Sequence, residues 1–259
     1  MPTEAQISES APPPELLDVV ENLAHFHGEH EQFYAQAPLR QAVQIQAASR
    51  TLRALAERWD EVQISDSSLP NPFAAGEDLN DPAVVRETGV LFMEGSGEPV
   101  EIQRLKRDLA TTVADCQATG TWLSQAMMSA WESAAALIQF PALADLLGER
   151  HRIVANDWQA AEMSALAGRL LDRALAVLGA VDFSPKAVRA DLAVSRVSPR
   201  YLYSAAEMAD RAADLLAQSA TLVHDSERRW RTVRQRARSL RGDYGESNRW
   251  KGATWPIDR

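Results

Sequence analysis

The sequence predicts an all-α protein, an elongated antiparallel four-helix-bundle-like fold of long heptad-patterned helices packed in the manner of a coiled coil. Three observations carry that prediction. Small or apolar residues recur at alternating steps of three and four from Ile102 to Phe140, through Leu105, Leu109, Thr112, Cys116, Thr119, Leu123, Ala126, Ala130, Ser133 and Leu137. That spacing of about 3.5 residues lines one seam of a helix about 60 Å long. Further stretches of comparable length repeat the pattern, and a rod of that length needs partners of its own length. Finally, 12 glycines among 259 residues suit a chain that is mostly helix.

The first 13 residues, MPTEAQISESAPP, read as a disordered leader without a basic or apolar signal region. A first helix is expected to open near Pro14, with Glu15 and Asp18 at the positive end of its dipole. Its expected seam is Leu16, Val20, Leu23, His27, His30, Tyr34 and Ala37, after which Pro38 breaks or kinks it. A second segment continues the period through Ala42, Ile45, Ser49, Leu52, Ala56 and Trp59, so the two together make a rod kinked at Pro38.

From Asp60 to Pro99 the periodicity stops, and nine acids face the single base Arg86, a net charge of −8. A connection this long is functional or partly disordered. The central helix follows, and Pro141 ends it in a tight turn. The next helix, about 141–180, has the expected seam Leu147, His151, Val154, Trp158, Ala161, Ala165 and Gly168 and ends at Gly179. A connector with a short helix from Ser184 to about Leu192 leads to a last helix from near Pro199. Its seam runs Ala209, Ala212, Leu216, Ser219, Val223, Ser226, Trp230, Val233, Ala237 and Leu240, and Arg241-Gly242-Asp243 is expected to stop it. Residues 14–242 thus form a single bundle domain, and 243–259 a C-terminal docking tail.

Composition limits the functional classes. One cysteine, Cys116 on the central seam, cannot staple the fold and points to a reducing compartment, the cytoplasm. No window of eighteen apolar residues occurs, so no membrane-spanning segment is expected. Among the histidines, His27, His30 and His151, with Tyr34 and Asp157, are the candidates for a polar ligand pocket in the bundle core. A metal is not expected there. Di-iron bundles need Glu-x-x-His on two helices, and that motif and His-Glu-x-x-His are both missing from the chain. Histidines hydrogen-bonded in the core to fix helix register explain the same residues. No nucleophile elbow or phosphate loop is present, no catalytic residue can be named, and no cofactor is expected.

The C-terminus is the compositional anomaly. Residues 228–259 carry ten bases against three acids, a net of +7 in a protein of −9. Arg229, Arg231, Arg234, Arg238 and Arg241 with Trp250 and Trp255 are the partner-binding candidates. Arginines with interleaved aromatics also mark nucleic-acid binding. The remaining −16 repels a polyanion. The leading expectation is a non-catalytic interaction or assembly protein, binding a protein partner or itself as a homo-oligomer. A helical-bundle enzyme or ligand or metal binder built on the histidines is the alternative, and a nucleic-acid-associated protein the third reading.

Overall fold

A computed structural model of the protein describes residues 12–61, 100–135, 140, 143–183, 191 and 198–246. Among them the regular structure is all helix, in four long elements packed against each other: α1 Pro14–Glu61, α2 Val100–Ala135, α3 Ala144–Gly179 and α4 Ser198–Glu246. The chain clusters into two compact units, and all four helices contribute to each. The first comprises Met1–Gln36, Thr121–Ala161 and Ala220–Arg259, the second Ala37–Gly120 and Glu162–Ser219. Among the described residues no helix is long and apolar enough to cross a membrane.

The helix boundaries follow from local chemistry. The Pro13 carbonyl accepts the amides of Leu16 at 3.0 Å and Leu17 at 3.3 Å, closing the first turn of α1. The two expected segments form one rod: α1 is a single helix of 48 residues with Pro38 buried inside it. A proline interior to a helix costs about 3 kcal/mol, and packing along a whole face offsets that because most helix stability in proteins is tertiary. Between α2 and α3 the Leu143 amide donates to the Phe140 carbonyl at 2.9 Å, while Pro141 lies outside the described residues. Before α4, the Asp191 carboxylate accepts the Ser198 amide at 3.3 Å, offsetting an orphan donor at the helix start. α4 continues through Gly242 to Glu246, one turn past the expected stop.

In the first unit the core is Leu17, Val20 and Ala24 of α1, Leu146 and Ile153 of α3, and Trp230, Val233, Ala237 and Leu240 of α4. Leu123 of α2, Ala160 and Val223 form an adjoining cluster. Arg241 bonds Asp18 and Arg238 bonds Glu21, while Trp230 bonds Glu31, so α1 and α4 run antiparallel there. The second unit is packed largely by alanine and leucine, with Ile45, Leu52, Leu109, Leu171, Ala206, Ala209, Ala213 and Leu216 all at most 1 % exposed. Small residues let its helices approach closely. A Cβ on Gly168 would lie 3.3 Å from that of Cys116, and the Ser49 hydroxyl donates to the Ala206 carbonyl at 3.1 Å. Cys116 is a free, buried thiol whose pKa burial pushes up to about 12, so it is inert at neutral pH.

Two expected seams are corrected. From Leu143, just before α3, the buried positions run on through Leu146, Arg150, Ile153, Asp157, Ala160, Ser164 and Ala167 of the helix. The expected seam lay one residue further on and is therefore rotated by about 100°. In the first half of α1, Val20 and His27 are buried as expected, but Leu17, Ala24 and Glu31 are buried where Leu16, Leu23 and His30 were expected. The α2 seam from Ile102 to Ala126 and the whole α4 seam are buried as expected. Much of the connector after Phe183, the acidic 62–99 stretch and the tail from Ser247 lie outside the described residues.

Candidate functional site

The first unit carries a polar layer within its apolar core, centred on Trp230. Heptad spacing turns these side chains inward, each at a seam position or the one beside it, and the register of the packed helices brings them together. α1 supplies His27 and Glu31, α3 supplies Arg150 and Asp157, and α4 supplies Ser226, Glu227 and Trp230. All seven are buried, Glu31, Arg150, Asp157 and Trp230 to 1 % exposure.

The indole Nε1–H of Trp230 donates to Glu31 Oε1 at 2.7 Å. The Ser226 hydroxyl donates to Asp157 Oδ1, also at 2.7 Å. The His27 imidazole stacks on the Trp230 ring with centroids 5.0 Å apart and planes within 16°. The Arg150 guanidinium lies 5.4 Å from the same ring's centroid, a cation–π contact. α1 and α4 approach closely at Gly28, where a Cβ would meet the Trp230 Cβ at an ordinary 3.5 Å. Glu227 takes its partners from the rim, His224 Nδ1 at 3.0 Å and Arg231.

Burial dominates the electrostatics. It raises the Glu31 carboxyl well above the usual carboxylate range, Asp157 and Glu227 raise it further, and only the Trp230 bond opposes them. Asp157 is pushed up to about 7 by burial, against the stabilising Ser226 bond. His27 is held down at about 4 by burial first, then by the positive potential of Arg150 and His30. Burial also lowers Arg150, to about 10. Three polar atoms in the layer lack a protein partner: Glu31 Oε2, Arg150 Nε and Arg150 Nη2. Unpartnered buried groups weaken a fold, by about 1–3 kcal/mol each. What the layer offers chemically is proton holding near neutral pH and a polar register that an apolar seam lacks. Among the described residues, no three or more His, Cys, Asp or Glu side chains converge as a metal site would require.

The predicted pocket residues fare unequally. His27 and Asp157 are in the layer. His30 is half-buried, its Nδ1 2.9 Å from the Phe26 carbonyl. Tyr34 lies on α1, but its side chain is outside the described ones. His151 is on the outer side of α3, in a shallow groove with Val154 and the exposed Trp158. Sequence reading missed Glu31 and Arg150. The signal was present, because an unbroken three-four alternation from Leu143 to Leu178 passes through Arg150 and Asp157.

The arginine candidates of α4 are paired with acids of their own unit. Arg229 bonds Glu149 and Asp225, each at 2.7 Å. Arg231 pairs with Glu227, and Arg238 with Glu21. Arg241 bonds Asp18 at 2.7 Å and lies 3.4 Å from Glu21, while Arg234 stands 4.0 Å from Glu21 without a hydrogen bond. Trp250 and Trp255 are outside the described residues. Large apolar side chains are nevertheless exposed in this unit, notably Val19, Phe26, Met128 and Trp158 at 53–55 %. No family model, no curated protein and no solved structure matches this chain.

Proposed function

We propose that the chain is a non-catalytic interaction or assembly protein. Its helical bundle presents the C-terminal Arg/Trp segment and the acidic 60–99 stretch to a protein partner or to a second copy. The observation that supports this reading most is the apolar surface of the first unit, where Val19, Phe26, Met128 and Trp158 are exposed, whereas the α4 arginines are engaged within the chain. Arg229, Arg238 and Arg241 are bonded to Glu149, Glu21 and Asp18, acids on the neighbouring helices. Pairs at or near the surface contribute only about 0–1 kcal/mol each, so the arginines hold helix register and do not anchor a partner. Anchoring falls to apolar surface, which the tail tryptophans and the exposed side chains of the first unit supply. The same pairings weigh against nucleic acid, since a guanidinium already neutralised by a carboxylate releases fewer counterions from a phosphate backbone.

A chain ending at Gly242 tests the reading. It is expected to form a smaller oligomer by light scattering, or to be cleaved faster within 60–99. Unchanged mass with unchanged cleavage would sink it. If the full chain instead retains nucleic acid, with affinity falling steeply as salt rises, the third reading takes over.

The second reading, a bundle enzyme or a ligand or metal binder, draws on one observation, the unpartnered buried atoms of Glu31 and Arg150. It would use His27 and Asp157 but not the outward His151. Stoichiometric metal in the purified protein would favour it over the interaction reading.

A further inference from the structure

The outer face of α1 in the first unit joins apolar and acidic side chains. Val19 and Phe26, one heptad apart, are 53 % and 55 % exposed. The Phe26 ring lies 4.1 Å from that of His30, extending an aromatic patch at the surface. Glu15 and Glu29 are exposed on the same side of the helix, about one turn outside Val19 and Phe26 respectively.

α4 delivers the chain terminus to this face. Arg241 bonds Asp18 and Arg238 bonds Glu21, and continuing that antiparallel register brings Glu246 level with Pro14, where α1 starts. Thirteen residues follow, SNRWKGATWPIDR. At about 3.3 Å per extended residue, Trp250 comes within about 13 Å of Glu246 and Trp255 within about 30 Å. Along α1, Val19 is about 8 Å and Phe26 about 18 Å from Pro14. Neighbouring helix axes are about 8–10 Å apart, so each tryptophan reaches its counterpart. Trp158, also exposed among the described residues of the unit, is less accessible to the tail. The bonds from Asn156 to Asp225 and from Ser226 to Asp157 place it about level with residue 225 of α4, roughly 30 Å from Glu246. Charge agrees with distance, because Arg249 and Lys251 flank Trp250, and the Glu15 carboxylate lies about one turn from Val19.

We propose that residues 247–259 fold back across the outer face of α1 of their own chain, with Trp250 covering Val19 and Trp255 covering Phe26. The inference rests on the tail being a docking segment and names the surface that receives it. The tail then acts as an occupant that any partner for this face must displace.

A disulfide trap in the full-length chain tests the contact. The substitution Asn22→Cys falls between Val19 and Phe26, and Ala253→Cys falls between the two tryptophans. The native thiol of Cys116 is buried and does not compete. Mild oxidation of dilute protein is expected to join the two introduced thiols within one chain, a link identified by mass spectrometry of the digest. Adding Trp250→Ala and Trp255→Ala is expected to slow that link several-fold, because chance proximity alone would not depend on the tryptophans. No link, a link formed only between chains, or a rate indifferent to the tryptophans overturns the inference. If the link is missing while the chain ending at Gly242 still loses mass, the assembly reading stands and only the α1 surface is wrong. If the link forms within one chain while truncation changes neither mass nor cleavage, the α1 surface stands and the assembly reading is wrong.

Discussion

Replacing Asp157 with asparagine should make the first unit more stable at slightly alkaline pH and should flatten its pH dependence. Asp157 titrates at about 7 in the fold and near 3.8 when unfolded, and burial is the cause. The folded state therefore binds the proton more tightly, and its advantage is present at low pH and lost as pH rises from about 4 to 7. Glu31, raised well above its ordinary 4.5, acts in the same direction. His27 acts oppositely. It titrates at about 4 folded and 6.5 unfolded, so its neutral burial costs stability below 6.5 and nothing above. Each linked proton changes stability by about 1.4 kcal/mol per pH unit. Between pH 4.5 and 6.5 the fall from Asp157 and the rise from His27 offset each other, and Glu31 adds to the fall. From 6.5 to 7 His27 no longer opposes, and Asp157 by itself lowers stability by about 1.4 kcal/mol per unit. Asparagine keeps the oxygen that accepts the Ser226 hydroxyl and carries no charge, so the variant should lose that Asp157 contribution and fall less steeply with rising pH up to about 7. Urea unfolding followed by circular dichroism from pH 5 to 8, on both proteins, reads the difference directly. Comparing the two chains also removes the background from the net charge of −9. Wild-type stability that rises from pH 6 to 8, or slopes that coincide in the two proteins, would refute the assignment of a protonated Asp157 in the core.

Two further outcomes follow from the same contacts. Trp230→Phe removes the donor to Glu31 Oε1 and strands an oxygen in a carboxyl already half unpartnered, at an expected cost of about 1–3 kcal/mol in urea unfolding. A loss below that range would mean Glu31 finds another donor. Gly28→Ala and Gly168→Ala should part company, although both glycines are helical. At Gly28 the new methyl meets Trp230 at an ordinary 3.5 Å and the helix gains up to about 1 kcal/mol of propensity. At Gly168 it meets Cys116 at 3.3 Å, so the gain is consumed by overpacking unless Cys116→Ala is added, which should restore it. Equal melting temperatures for the two single variants would refute the difference in packing.

How far the sequence can be read depends on what each seam is made of. α2 as far as Ala126 and α4 are legible because the apolar stripe and the three-four alternation coincide there, with no charged residue on either seam. α3 misleads for the opposite reason. Its true stripe holds Arg150, Asp157 and Ser164, while Trp158, Val154 and Leu147 sit beside it, so weighting by hydrophobicity turns the helix by one residue. The same competition decides the first half of α1, where Glu31 is buried and His30 is not. Hydrophobicity describes single residues, whereas the unbroken three-four alternation describes the partner surface, and in this protein the second quantity locates the core. Once α3 is phased by alternation, Arg150 and Asp157 face inward, on a line with Trp230. Only then does the histidine cluster at 25–30 resolve into one buried imidazole and its more exposed neighbours. Pairings such as Trp230 with Glu31, 199 residues apart, remain beyond any local pattern, because period fixes the direction of a side chain and register fixes whom it meets. The α4 arginines show the same limit. Their charge reads from the sequence as a surface for partners. The antiparallel register brings them instead against Asp18, Glu21 and Glu149, where they tie α4 to α1 and α3.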